Sequence, residues 1–110
     1  MLSFAHHKAL IGFDFGLKRI GVATANTATM IATPLTILRA HNGVPDWITV
    51  SRIIDEWTPD LLVIGLPVNM DGSDGELSSR AKKFARRLSA RFDKRTVMTV
   101  SYTHLTLPTN

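Results

Sequence analysis

Cysteine is absent from the 110-residue sequence. That excludes a disulfide scaffold and a thiolate metal site, and it makes a reducing compartment the default. Long apolar runs are also missing, and none approaches the roughly 18 residues of a membrane span. The opening Met1-Leu2-Ser3-Phe4-Ala5-His6-His7 lacks the basic start and extended apolar stretch of a secretory leader. A cytoplasmic protein is expected on those grounds. His6, His7, His41 and His104 show no metal-ligand spacing. Neither a Gly-x-Ser-x-Gly nucleophile pattern nor a Walker loop occurs. No acidic residue follows Asp93.

What is present is an ordinary globular composition, 45% hydrophobic and 20% charged, in a length suited to one domain. The net charge of +4 is unevenly spread. Residues 80–95 hold Arg80, Lys82, Lys83, Arg86, Arg87, Arg91, Lys94 and Arg95 against Asp93 alone, while acids outnumber bases before them. A basic block on a mildly acidic body points to a polyanion such as nucleic acid, although a solvated helix face has the same composition.

Ile11, Phe13 and Phe15 alternate with Gly12, Asp14 and Gly16, which predicts a strand over residues 8–15. A turn at Gly16-Leu17-Lys18 leads into a second strand over 19–25, so the two form a hairpin. A third strand is expected over 30–38, with Pro34 marking an edge or a bulge, followed by a loop at His41-Asn42-Gly43. Pro45, suited to the first turn or just before it, and Asp46 open a helix whose Trp47, Val50, Ile53, Ile54 and Trp57 recur at helical spacing, and Thr58-Pro59-Asp60 ends it. The continuous apolar run at 61–66 suits a buried parallel strand. A polar loop over 67–75 precedes a second amphipathic helix carrying Leu77, Ala81, Phe84, Ala85 and Leu88, and a strand over 96–100 follows. The fold class is therefore α/β. It has a mixed sheet of about five strands, three antiparallel and the rest parallel through helical crossovers.

Asp14 is the informative residue, because Asp is depleted in strands and costly to bury as an ion. Gly12 and Gly16 share its face of the pleat and leave the carboxylate room. A carboxylate at a strand end beside bare backbone suits a hard cation such as Mg²⁺. The same residue also suits a turn that accepts backbone N–H bonds. The run Gly65-Leu66-Pro67-Val68-Asn69-Met70-Asp71-Gly72 follows the buried strand directly, where ligands gather in open α/β sheets. If that strand lies parallel to the first, this loop and Asp14 share one end of the sheet; a plain surface turn is the other reading.

Ile11-Gly12-Phe13-Asp14-Phe15-Gly16-Leu17-Lys18-Arg19-Ile20-Gly21-Val22-Ala23 resembles the opening motif of the YqgF/RuvX family. Ile64 to Ser73, Arg80-Ala81-Lys82-Lys83-Phe84-Ala85 and Gly43-Val44-Pro45-Asp46-Trp47 resemble later parts of the same family. The resemblance implies an RNase H-like fold and a Holliday-junction-resolvase-like nuclease that matures the 5′ end of pre-16S ribosomal RNA. It implies that Asp14 is a catalytic carboxylate holding Mg²⁺ or Mn²⁺, and that the Gly65-Leu66-Pro67 loop lies beside the active site. With the basic helix, the candidate substrate-binding set is Gly16, Lys18, Arg19, Gly65, Leu66, Pro67, Asn69, Arg80, Lys83 and Arg87.

Two departures stand out. Leu17 occupies a position where the family commonly carries Thr. After the last strand the family continues with an Asp-Glu-Arg motif and helices, whereas this sequence reads Ser101-Tyr102-Thr103-His104-Leu105-Thr106-Leu107-Pro108-Thr109-Asn110. Val100 to Thr109 resembles the in-frame translation of a sequencing-library adapter. Residues 1–99 are therefore expected to be an incomplete nuclease domain, and residues 100–110 a non-native tail. One carboxylate cannot clamp the ions of metal-assisted phosphodiester hydrolysis, so the chain as it stands is expected to be inactive. The partner is expected to be structured RNA, with branched DNA, a non-catalytic nucleic-acid-binding fragment and an actin/hexokinase-like phosphate-binding fragment as alternatives.

Overall fold

The computed structural model describes residues 9–28, 31–67 and 75–101. Strand β1 (Ala9–Asp14) turns back through Gly16–Lys18 into β2 (Arg19–Asn26), which pairs antiparallel with β3 (Ile31–His41). Asn42 and Gly43 then reverse the chain into a short β4 (Val44–Pro45). Helix α1 (Trp47–Trp57) leads to β5 (Leu61–Pro67), and α2 (Gly75–Phe92) leads to β6 (Arg95–Ser101). The strand order is β4-β3-β2-β1-β5-β6, with β5 parallel to both β1 and β6.

The sheet thus has six strands where about five were expected. The extra one is β4, whose Val44 and Pro45 pair with His41 and Ala40. Pro45 therefore belongs to a strand, and the helix opens one residue later. Asp46 is its N-cap, accepting from the Ile48 N–H at 3.0 Å and from the Thr49 hydroxyl at 3.2 Å. Pro34 sits where the β2–β3 register shifts, as a residue without an N–H requires. Asp60 fixes the β1–β5 register: its carboxylate accepts the Ala9 N–H at 3.0 Å, and its own N–H donates to the Ala9 carbonyl at 2.8 Å.

Alternation decides which face is covered. Ile11, Phe13 and Phe15, Ile20 and Val22, Leu38, and Leu62 and Ile64 all point to one side. There they meet Val50, Ile53 and Ile54 of α1 and Ala81, Phe84, Ala85 and Leu88 of α2 in one core. Phe84 is the hub, with its ring 5.6 Å from Phe13, 5.4 Å from Phe15 and 5.8 Å from Trp47. Among the described residues, nothing covers the other face. It carries Gly12 and Asp14, Gly21, Ile37 and Arg39, Val63 and Gly65, and Val97 and Thr99. Among the described residues, no helix is long and apolar enough to cross a membrane.

Candidate active site at the rim of the sheet

Asp14 ends β1 and is exposed on the uncovered face. Its lateral partners are Gly21 on β2 and Gly65 on β5, so both neighbouring strands present bare backbone beside the carboxylate. A Cβ placed on Gly21 would stand 3.6 Å from the Asp14 Cβ. Gly12 lies two residues back on the same face, where an added Cβ would meet nothing closer than the Val63 carbonyl at 4.0 Å. No described residue hydrogen-bonds the carboxylate, so it is not consumed in holding its own hairpin. The parallel β1–β5 pairing brings Asp14 and Gly65 to the same end of the sheet, as the sequence predicts, and the Phe15 N–H donates to the Gly65 carbonyl at 3.3 Å.

Gly16 needs a different account from the one its position on the pleat suggests. A Cβ there would lie 2.5 Å from the Arg19 carbonyl oxygen, so the tight turn itself demands the glycine. The residues that make room for a ligand are Gly12, Gly21 and Gly65. Gly21 is absent from the sequence-derived set because only antiparallel pairing puts it opposite Asp14.

Lys18 and Arg19 are exposed where the hairpin turn enters β2. Leu66 and Pro67 continue β5 past Gly65. Asn69, with the rest of residues 68–74 of the polar loop, lies outside the described residues. Arg80, Lys83 and Arg87 form a second group on α2, on the covered side of the sheet. With Asn42, Gly43, Val44 and Trp47 they line a cleft between the helix and the β3–β4 turn. Arg80 donates to the Asn42 carbonyl at 3.2 Å. Arg91 lies 4.5 Å over the Trp47 ring, so part of the basic block packs the helix against its neighbours. Arg95 belongs to β6 rather than to the helix, which ends at Phe92 with Asp93 in the left-handed region.

The turn and the site are mechanically linked. The Gly43 N–H donates to the Leu17 carbonyl at 2.9 Å, and the Ala40 N–H donates to the Lys18 carbonyl at 2.8 Å. Gly43 has φ +84°, and a Cβ there would lie 2.6 Å from the Phe15 ring. Only glycine lets the turn seat on Phe15, directly after Asp14. Among the described residues, no three His, Asp or Glu side chains converge on a metal position. The described part of the chain therefore offers a divalent ion one carboxylate and open backbone.

This geometry can be set beside known proteins. The RuvX family, described as Holliday junction resolvase, matches residues 8–103. A Pseudomonas putida protein named "Putative pre-16S rRNA nuclease" is 55% identical over 86 residues, covering 78% of this chain and 61% of the relative. A Shewanella oneidensis protein of the same name is 52% identical over 85 residues, covering 77% and 60%. The chain spans about three-fifths of the length of these curated relatives. Among solved structures, T. thermophilus RuvC in complex with Holliday junction substrate is similar with a TM-score of 0.53 at 12% identity, over 84% of this chain and 64% of that one. At that identity the likeness is one of fold, the RNase H-like α/β arrangement. With the family pattern running through residues 8–103, the whole of its described length, the chain belongs to the RuvX family.

Proposed function

We propose that this chain is the larger, N-terminal part of a metal-dependent nuclease that hydrolyses phosphodiester bonds in structured RNA, in 5′-end processing of pre-16S ribosomal RNA. The observation that carries the reading is the setting of Asp14. An exposed carboxylate without a described partner stands between two glycines at the end of parallel strands. Asp is unfavourable in a strand, and nothing in the local packing uses it. The relatives named above supply the substrate, and the basic cleft of Arg80, Lys83 and Arg87 suits a phosphate backbone in a sequence-independent way.

Asp14 is one ligand of a Mg²⁺ or Mn²⁺ site. Such an ion would activate water and stabilise the leaving oxygen. The 110-residue chain is proposed to bind nucleic acid without cleaving it. The setting is cytoplasmic, where precursor ribosomal RNA is handled.

The test is cleavage by the complete gene product, with precursor 16S RNA and branched DNA side by side. Cleavage that requires added Mg²⁺ and is lost in Asp14→Asn is the expected result, with preference for the RNA. Undiminished cleavage by Asp14→Asn removes this residue from the chemistry. Preference for branched DNA replaces the RNA reading with a junction-resolving one.

A further inference from the structure

The uncovered face holds a charge arrangement that neither the motif nor the basic helix accounts for. Arg19 of β2 and Arg39 of β3 are direct partners in the antiparallel register. Both are exposed on the same face as Asp14, and among the described residues neither side chain has a hydrogen bond or an ion pair. Directly opposed antiparallel residues hold their Cβ atoms about 5 Å apart, where like charges repel and destabilise the sheet. A cross-strand Arg–Arg pair is therefore a liability in the free protein. An anion between the two removes it, and two planar guanidinium forks match the unesterified oxygens of a phosphate.

The surroundings suit a polymer rather than a small anion. Arg19 lies two residues from Gly21, the partner of Asp14, and so stands diagonal to the carboxylate at about 7–8 Å between Cβ atoms. That is roughly the separation of neighbouring phosphates along an extended strand. The bare backbone of Gly21 leaves the intervening surface low, and Ile37 beside it is 66% exposed, an apolar surface for a sugar or base.

We propose that Arg19 and Arg39 form a two-guanidinium clamp for a single phosphodiester group, positioned to hold the phosphate next to the one presented to Asp14. The clamp rests on the nuclease reading for the identity of the strand, but not for the anion site itself. Arg39 is the new element, a positioning residue that reaches the site only through strand pairing.

The test uses the full 110-residue chain, a fluorescently labelled single-stranded RNA and, separately, inorganic phosphate. Arg52→Gln on the exposed side of α1 is the control for loss of one positive charge. Arg19→Gln and Arg39→Gln should each weaken RNA binding about threefold at moderate salt, more than the control. The double variant should lose less than the product of the two, because both side chains hold one phosphate. In low-salt buffer Arg39→Gln should melt higher than the parent chain, since the repulsion is gone. Phosphate should raise the melting temperature of the parent but not of Arg39→Gln. If phosphate stabilisation is lost in Arg39→Gln while no form binds RNA, the clamp stands and the nucleic-acid reading falls. If Arg39→Gln matches Arg52→Gln in RNA affinity and in phosphate response, the clamp is overturned and the role of Asp14 is untouched.

Discussion

At the scale of single residues, the site is made by what is left out as much as by what is present. Asp14 has space because Gly12, Gly21 and Gly65 surround it with backbone alone. Strand glycines are poor for stability, so replacing one should improve the fold and harm the function. Gly21→Val is expected to raise stability by up to about 1 kcal/mol, through strand propensity and a branched side chain beside Ile37. The same side chain would crowd the carboxylate, so metal-dependent cleavage by the complete protein should fall at least tenfold. Urea denaturation and a cleavage assay on one preparation measure both; a fall in stability with activity retained would contradict the packing argument. The motif Ile11–Ala23 exposes Asp14 as a candidate in the sequence. The roles of Gly21 and Arg39 do not show there, because they depend on which residue each faces across the sheet.

At the scale of elements, α1 is fixed at its start by the Asp46 side chain, and both helices end on residues in the left-handed region, Thr58 and Asp93. Thr58 caps α1 at φ 39°, and its N–H donates to the Ile54 carbonyl at 2.8 Å. A β-branched residue in the left-handed region is strained, by about 1 kcal/mol relative to glycine. Thr58→Gly should therefore raise the melting temperature; a drop would mean that the Thr58 side chain has a stabilising partner. The opposite effect is expected at the hub of α2. Phe84 is 2% exposed and touches the rings of Phe13, Phe15 and Trp47. Phe84→Ala should cost about 3–5 kcal/mol in denaturant titration, enough to unfold a marginal domain. Trp47 and Phe15 meet at this ring, so the loss should also loosen the β3–β4 turn, read as faster amide exchange at Gly43.

At the scale of the whole molecule, the asymmetry of the sheet dominates. The shortest dimension is 20 Å, the thickness of one sheet and one helix layer. One face is packed, while the other shows Ile37 at 66% and Val97 at 39% exposure. Such a surface favours association and dye binding in the isolated chain. Ile37→Thr together with Val97→Thr should lower 1-anilinonaphthalene-8-sulfonate fluorescence and delay aggregation, with little change in melting temperature, because threonine keeps the strand propensity. Equal dye fluorescence in the double variant would place the apolar surface elsewhere, for instance in the cleft that Ile31 and Trp57 line at the far end of β1.

The sequence by itself determined the order of the longer elements, the α/β class and the covered face of each helix, and it singled out Asp14 as the candidate. Those rest on period and composition within a few neighbouring residues, where alternation and helical spacing leave little freedom. It predicted about five strands and did not show β4, whose two residues are too few to show a period. It left Pro45 either in the first turn or just before it; the structure puts it before, in β4, with the helix beginning at Trp47 behind its Asp46 cap. Only the tertiary structure decided the lateral company of Asp14, the opposition of Arg19 and Arg39, and the packing of the β3–β4 turn on Phe15. Those are facts of register between strands, and a shift of one residue would send every one of these side chains to the other face.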